Sequence, residues 1–530
     1  MRPSMNDAAE SELGRADDVR SGGFRRVDLE MGQLVAGTRA DSRGNRRSRA
    51  ERAVGGMVEN HLLVALIFLL ATVLLVIGPE LFVADSWLTL VSGREISQHG
   101  LPHREALTAI PFGRVWTDQQ WLAQLIFYWL DRAGGLRLTV VLHALVVTAA
   151  FAVTVVASRV RGASAQMTLV AAVVSLFVAP WSWQLRAQSI ALPLFAVTLA
   201  LMATDSRLAA RRSYLVFPAL ILWANIHGSV ILGAALVSLA AAVAGVARAR
   251  SSEVLTPVWK ALVFLLLPWA CVMASPYGTA LVRYYRLLLF DSPVSRNVQE
   301  WRPPQPHGYL LVFFAVAAAT VVVAVWQRRR LSAYDLLVLA VTLAGALRSG
   351  RGIVWFSLAA AMLLPVALDG FVRPGRPAHV RRRLAYWLGG GFVALLVLSL
   401  GQALARSDRW YEQGWPARAA RATAQESLAS GGTVVWPSDK YADWLLWKEP
   451  ALRGRVAWDV RFELLDAADV DSIIIFKHMQ RGWQRQVAAY PLLVLDRTAT
   501  PRQARILAAE PGTDVLFQSA DLVVLHRRRR

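Results

Sequence analysis

The chain has 530 residues, of which 55% are hydrophobic, and its formal net charge is +21 at pH 7. Its mean hydropathy is +0.38, and the apolar residues come in blocks of membrane-spanning length, which excludes an ordinary soluble protein and predicts an α-helical multi-pass membrane protein. The only cysteine is Cys271, so an intrachain disulfide is excluded as well.

The first 57 residues are polar, mixed in charge and rich in Arg, Gly, Ser and Asp. A segment this poor in apolar residues cannot bury enough surface to offset the entropy lost on ordering. It also lacks the apolar stretch of a signal peptide. We therefore predict a disordered cytoplasmic tail over residues 1–57, followed by an uncleaved membrane domain over 58–405.

Eleven apolar segments in this domain are candidates for membrane-spanning helices, although several are short. They lie at 61–78, 137–157, 166–181, 188–204, 214–226, 229–247, 259–275, 308–326, 334–348, 352–369 and 384–404. With a cytoplasmic N-terminus, eleven spans put every strongly basic short loop on the cytoplasmic side, as the positive-inside rule requires. The aromatic-rich segment 119–130 is then interpreted as an interfacial helix within a large first external loop, residues 79–136.

Residues 406–530 alternate short β-rich runs with Ala- and Arg-rich helical stretches, and 514–527 is typical of a terminal hairpin. The same span count places them outside the cytoplasm. We therefore predict a small extracytoplasmic α/β domain. Five polar segments are expected on that face, at 85–118, 181–188, 225–228, 275–304 and 348–352.

Asp85 stands at the external end of the first apolar segment. Carboxylates are costly next to lipid, so such a residue is either a helix cap or a functional group. On residue type alone the two interpretations are even. As a general base, Asp85 would accept a proton from an incoming hydroxyl group. Glu80 is a second candidate acid, although an ordinary interfacial carboxylate explains it better.

Asp118, Gln119, Gln120 and Trp121 form a second polar cluster in the first external loop. Carboxylates and amides bind sugar hydroxyls, and an aromatic face stacks on a sugar ring. The cluster slightly favours a carbohydrate site over the start of an interfacial helix. Trp at a membrane boundary by itself needs no such explanation.

His227 lies in a polar turn that divides one long apolar run, where polar residues normally line a cavity. It is a candidate for binding a phosphate oxygen or the acceptor. Three external arginines, Arg186, Arg348 and Arg351, offer the forked donors that suit phosphate. Each of them alone is better explained as a side chain reaching the lipid headgroups.

Soluble-enzyme motifs such as a P-loop, a zinc-type His/Cys set or G-x-S-x-G are absent from the sequence. The basic charge is spread over the cytoplasmic loops and tails. Anionic membrane lipids are therefore the expected partner of this charge, and nucleic acid is not.

Several stretches carry a resemblance to a known superfamily. ADSWLTLVSGREISQHGLPHREALTAIPFGRVWTDQQWLAQLIFYWL is similar to the first external loop of bacterial GT-C-type membrane glycosyltransferases, which use polyprenyl-phosphate-linked sugars. LWANIHGS, SPYGTALV, VQEWRPP and RSGRGIVWFSLAAAMLLP resemble segments of a poorly characterised branch of the superfamily. So do Y-x-x-W-L-L-W at 441–447 and D-x-R-x-E at 459–463, and the order of these stretches along the chain carries the likeness.

The resemblance implies an acidic catalytic base in the first external loop, which falls on Asp85. It also implies a polyprenyl-phosphate-sugar donor and a glycan, lipid or protein acceptor. The paired acids D-x-D or E-x-D of some relatives are missing, because Ala84-Asp85-Ser86-Trp87 offers one acid. A divalent cation is therefore left open as a cofactor.

Four residues of the C-terminal domain are candidates for bordering the acceptor entrance, and a purely structural role suits them equally well: Asp439, Tyr441, Asp459 and Arg461.

The sequence leaves two other functions open. A transporter or flippase of lipid-linked sugars would also have external polar clusters, although it would more often show an internal repeat. The third candidate is an inactive scaffold of the same fold.

Overall fold

The computed structural model describes residues 61–178, 180–250, 257–290, 299–371 and 382–528. The predicted tail at 1–57, and parts of the basic loops at 247–252 and 373–383, lie outside the described residues. The described chain is mostly helical, and its helices run in this order: α1 His61–Val76, α2 Ala84–His99, α3 Trp121–Gly134, α4 Leu136–Val160, α5 Ala165–Val178, α6 Ala191–Thr204, α7 Val216–Ala224, α8 Val230–Arg250, α9 Val258–Val272, α10 Ala280–Phe290, α11 Leu310–Trp326, α12 Ala333–Arg348, α13 Ile353–Leu363, α14 Pro365–Leu368, α15 Arg382–Ala405, α16 Asp408–Tyr411, α17 Ala417–Ala429, α18 Ala442–Lys448, α19 Ala467–Lys477, α20 Trp483–Gln486 and α21 Pro501–Ala508.

Ten of the eleven predicted apolar segments each coincide with one helix, and the segment 352–369 contains two, α13 and α14. Three segments of the described chain are long and apolar enough to cross a membrane, by length and composition: Leu136–Val160, Ala187–Thr204 and Val230–Ala249. Six further apolar helices of 10–17 residues accompany them. The count of eleven spans stays a prediction.

A four-stranded sheet forms the centre of the C-terminal region. Its strands are β1 Val435–Trp436, β2 Leu492–Asp496, β3 Thr513–Gln518 and β4 Leu522–Arg527, in the order β1-β2-β4-β3. β1 is parallel to β2, and β3 and β4 form the predicted antiparallel hairpin. Strand β2 is apolar on both faces, because Leu492 and Val494 belong to one apolar cluster and Leu493 and Leu495 to another. The sheet is therefore covered on both sides.

The segment 79–136, the predicted first external loop, contains two helices, α2 and α3, that cross at very close range. Gly93 makes this contact, since a Cβ atom there would lie 2.3 Å from the backbone oxygen of Gln124 and 2.6 Å from the Cβ of Tyr128. Only a residue without a side chain allows the two backbones to approach this closely. The crossing holds the start of α2, where Asp85 lies, beside the start of α3.

Backbone hydrogen bonds join the first external loop to the C-terminal sheet. Ala109 and Ile110 donate to the carbonyls of Val456 and Ala457, and Gly454 donates to Leu107. The Ala457 N–H in turn donates to the carbonyl of Val435 in β1. The loop thus extends the sheet by one more segment, and the predicted boundary near residue 405 is crossed by main-chain pairing.

Charged side chains of α2 reinforce this junction. The Arg94 guanidinium donates to the carbonyls of Leu446 and Trp447 at 2.5 and 2.8 Å, which satisfies the last turn of α18. Glu95 accepts from Arg453 at 2.5 and 3.1 Å. These contacts fix α2, and with it Asp85, against the C-terminal region.

We predict that Gly93→Ala destabilises the protein by about 1–3 kcal/mol or more, because the added methyl group collides with rigid backbone rather than with a mobile side chain. Gly245→Ala is the matched control, since a Cβ atom at this helical position meets nothing within 4 Å. It is expected to be neutral or slightly stabilising. Thermal unfolding of both variants in detergent checks the prediction, and equal melting temperatures would contradict it.

Candidate functional site

Asp85 lies in the first turn of α2, and Val83 is the N-cap residue of that helix. The capping interpretation of Asp85 is therefore wrong in its geometry. The position still favours a carboxylate, since the N-terminal end of a helix carries partial positive charge. The carboxylate instead faces two arginines, with Oδ2 at 3.2 Å from Arg186 Nη1 and 3.9 Å from Arg351 Nη2.

Glu300 is the second carboxylate that these arginines bind. Arg186 donates to both of its oxygens, at 2.8 and 2.7 Å, and Arg351 Nε donates to Oε2 at 3.1 Å. Burial alone would raise the pKa of Glu300, but the two guanidinium groups outweigh it and lower the pKa to about 2. Four side chains from four separate chain segments therefore meet as two arginines between two carboxylates. We call them the charge cluster.

Two cavities meet at the charge cluster. The outer recess is lined by Asp85, Gln120, Gln124, His227 and Tyr284, together with residues of the C-terminal region. The second cavity, the arginine pocket, continues between the apolar helices α6 and α13, where Leu192 and Val354 line it. Arg186, Gln188 and Arg351 belong to both linings.

The arginine pocket is suited to an anion. Arg186 Nε is buried and has no acceptor within the described part of the chain. The Arg351 guanidinium stacks on Trp301 at 4.8 Å from the ring centroid, which holds it in place. Planar guanidinium forks match the oxygens of a phosphate.

A divalent cation fits these residues poorly. Both carboxylates of the charge cluster are already matched by guanidinium groups, whose positive charge repels a cation. Among the described residues, no group of three or more His, Cys, Asp or Glu side chains is placed to hold a metal ion.

His227 lies in the turn between α7 and α8 and lines the recess. Its Nδ1 accepts the backbone N–H of Ser229 at 3.1 Å and contacts the Ser229 hydroxyl at 2.8 Å. Burial, with the charges of Arg351 and Arg186, lowers the pKa of His227 to about 3. The ring is therefore neutral and carries its proton on Nε2, so it is a neutral hydrogen-bond donor.

Of the predicted polar cluster at 118–121, Gln120 lines the recess. Asp118 is buried, and its Oδ1 accepts Gln124 Nε2 at 3.0 Å. Gln119 donates to the Tyr284 hydroxyl at 3.2 Å and packs on Gly228. Gln120 and Gln124 line the recess itself, so Asp118 and Gln119 stand behind them as supports.

Burial raises the pKa of Asp118 to about 7, and the hydrogen bonds from Gln120 and Gln124 offset this only in part. Its Oδ2 has no partner within the described segments. Asp118 thus retains its proton over a pH range in which an exposed aspartate is ionised.

Arg461 connects the C-terminal region to the wall of the recess. It is 4% exposed and donates to Glu105 at 2.6 and 3.0 Å, and its Nε donates to Asp459 at 2.9 Å. Its guanidinium lies 4.3 Å from the ring centroid of Trp116. Asp443 lies nearby and is fully buried, and burial together with the charge of Asp459 raises its pKa.

The other sequence-predicted residues lie away from the recess lining. Glu80 and Arg348 are exposed. The Trp121 indole N–H donates to Asn225 at 3.0 Å. Asp439 pairs with Lys477 at 2.7 Å, and Tyr441 is fully buried against Trp415 and Trp444. Their proposed roles in ligand binding stay predictions.

Three acidic residues of the site escaped sequence reasoning: Glu105, Glu300 and Glu463. Glu300 stands in VQEWRPP, beside the Trp301 that stacks on Arg351. Three arginines that the sequence places together at a membrane boundary require countercharge, and this was the available signal for an acid in that segment. Glu463 is the last residue of the D-x-R-x-E stretch.

We predict that Asp118 makes stability depend on pH. Its pKa is about 7 in the folded state, above the ordinary value of 3.8. The stability it confers is full below about pH 4 and is lost as pH rises toward 7, by at most about 1.4 kcal/mol per pH unit. Asp118→Asn keeps the shape and removes the titration.

The wild-type protein should therefore lose melting temperature relative to Asp118→Asn between pH 5 and 7 in detergent. Other buried acids titrate in both proteins, so the difference between the two curves is the relevant quantity. Asp471→Asn, at an exposed position in α19, should parallel the wild type. Parallel curves for Asp118→Asn as well would show that Asp118 is ionised throughout.

No protein-family model matches the chain, and no curated protein matches it either. Several solved structures do match the chain. The archaeal oligosaccharyltransferase AglB from Archaeoglobus fulgidus, in complex with an inhibitory peptide and a dolichol-phosphate, is 13% identical, with a TM-score of 0.47 over 83% of this chain and 70% of that one.

ArnT from Cupriavidus metallidurans, in the apo state, is 14% identical, with a TM-score of 0.46 over 87% of this chain and 97% of that one. The arabinofuranosyltransferase AftD from Mycobacteria is 16% identical, with a TM-score of 0.47 over 88% of this chain and 40% of that one. Likenesses this distant leave the activity to be argued from the site itself. By their names, AglB is an oligosaccharyltransferase and AftD an arabinofuranosyltransferase.

Proposed function

We propose that this chain is an integral-membrane glycosyltransferase of the inner (plasma) membrane. It moves a sugar from a polyprenyl-phosphate-linked donor to an envelope glycan, lipid or protein acceptor on the extracytoplasmic face. One observation carries the proposal. Arg186 and Arg351 belong to both cavities, with the Asp85 carboxylate on the polar side and apolar helices on the other.

This arrangement matches the three parts of such a donor. The polyprenyl tail would lie along the apolar helices that border the arginine pocket. The phosphate would take the guanidinium forks of Arg186 and Arg351, in competition with the carboxylate of Glu300. The sugar would then extend into the recess, where amides, His227 Nε2–H and the Trp301 ring suit hydroxyl groups and a ring face.

The reaction follows from these positions. The acceptor hydroxyl attacks the anomeric carbon, the bond from that carbon to the phosphate oxygen breaks, and polyprenyl phosphate leaves. Asp85 takes the proton of the hydroxyl group, and attack opposite the leaving group inverts the configuration. The leaving phosphate gains negative charge as the bond breaks, and the two arginines stabilise that charge.

Asp85 becomes available as a base through the same contacts. In the structure its carboxylate is held by Arg186 and Arg351. A bound phosphate would draw these guanidinium groups to itself, which leaves the carboxylate facing the recess. Donor binding would thus prepare the base for the acceptor.

We predict that Asp85→Asn lowers sugar transfer by about 100-fold or more, because it keeps the shape and removes the base. Binding of the donor should not weaken, since the neutral amide competes less than the carboxylate for the two arginines. The measurement is transfer from radiolabelled polyprenyl-phosphate sugars by the purified full-length protein in nanodiscs, with the melting temperature as the folding control.

Near wild-type transfer by Asp85→Asn would remove Asp85 from the base role, and Glu80→Gln and Asp118→Asn would then be tested in the same assay. A wild-type protein that binds donor without transferring sugar would instead favour a transporter or an inactive scaffold.

The proposed orientation has its own test. We predict that reporter fusions after residues 210, 300 and 420 read cytoplasmic, external and external. The basic loop at 205–213 determines the first of these, because positive loops stay in the cytoplasm. A cytoplasmic signal at 420 would place the C-terminal region on the wrong side of the membrane for an external site.

A further inference from the structure

Glu463 is a carboxylate in the recess that comes from the C-terminal region. It lies in a short 3₁₀ turn, Phe462–Leu464, and it lines the recess that also contains Asp85. Its side chain is exposed to solvent, although protein surrounds it on most sides. A solvent-accessible carboxylate that lines a recess can be reached by a ligand.

The position of Glu463 is fixed by its neighbour Arg461. That guanidinium is buried between Glu105 and Asp459 and stacks on Trp116. The Leu464 N–H donates to the Arg461 carbonyl at 2.9 Å, which closes the turn around Glu463. The buried Arg461 side chain and this turn therefore fix the backbone position of Glu463.

The three arginines of the site pair with other acids, which leaves Glu463 available to a ligand. Arg186 and Arg351 bind Asp85 and Glu300, and Arg461 binds Glu105 and Asp459. Within the described residues, no ion pair involves Glu463. The surrounding protein raises its pKa, so the ionised form is incompletely compensated. Polar groups that face a cavity are satisfied by water, which the donors of a ligand can replace.

We infer that Glu463 binds hydroxyl groups of the acceptor and thereby selects which hydroxyl reaches Asp85. This assignment rests on the proposed function. The donor phosphate is excluded as its ligand, because a carboxylate repels an anion and Glu463 does not line the arginine pocket. A neutral, hydroxyl-rich acceptor offers the donors that the carboxylate lacks, and it reaches the recess from the side of the C-terminal region.

The test uses the full-length protein in nanodiscs, with radiolabelled short-chain polyprenyl-phosphate monosaccharides as donors and octyl glycosides as acceptors. The donor and acceptor pair that the wild type uses best is chosen for kinetics. Glu463→Gln should raise the acceptor KM by about 10-fold or more, since a hydrogen bond to a charged group is lost. The donor KM should stay within about twofold.

Glu449→Gln is the matched control. It changes a carboxylate of the same region that does not line the recess, and it should leave both KM values unchanged. Glu463→Asp restores the charge and should recover part of the acceptor affinity, which a purely structural role would not require. The melting temperatures of all variants are measured in parallel.

An active wild type with an unchanged acceptor KM in Glu463→Gln would overturn the assignment alone. Equal rises in the donor and acceptor KM values, or a large loss of melting temperature, would also overturn it, in favour of a structural role. A wild type that transfers no sugar from any donor would overturn the proposed function, and the assignment would fall with it.

Discussion

The pairing of Arg186 with Asp85 and Glu300 is the interaction on which the arrangement of the site depends. The guanidinium side chain is 15% exposed and makes its contacts at 2.7 to 3.2 Å. It joins the start of α2, the turn before α6 and the segment before α11, which are far apart in sequence. An unpaired charge at this depth would be costly, so each segment stabilises the position of the others.

The same cluster makes the site selective for charge. Two arginines balance two carboxylates, so an incoming phosphate must displace a carboxylate and gains a forked partner when it does so. A cation gains no forked hydrogen-bond partner of this kind at the two arginines. In the proposed mechanism, a bound phosphate replaces a carboxylate as the partner of the two guanidinium groups, and Asp85 becomes available as the base.

The second buried arginine gives the C-terminal region its part in the site. Arg461 binds an acid of the first external loop and an acid of its own segment. Removing one partner of such a buried pair typically costs about 3–5 kcal/mol. Main-chain hydrogen bonds between 107–110 and 454–457 also hold the loop against the C-terminal region. The recess wall is thus built jointly by the loop and the C-terminal region.

The helices and part of the site were predictable from the sequence, because apolar blocks and loop charge are local signals. They located the helices and placed Asp85, Arg186 and Arg351 on one face, where the structure does bring them together. Sequence could not choose between Arg348 and Arg351, because they are three residues apart at a helix end and only tertiary packing decides which one turns inward. Glu300 and Glu105 were missed since their partners lie 114 and 356 positions away along the chain.

Equilibrium binding of a short-chain polyprenyl monophosphate tests the central claim most directly, because it needs neither the sugar nor the acceptor. Titration calorimetry of the purified protein would compare the wild type with Arg351→Ala and with Arg283→Ala, which changes an exposed arginine of α10. The account predicts that Arg351→Ala weakens binding by about 10-fold or more while Arg283→Ala does not. Equal affinity in the wild type and Arg351→Ala would contradict it.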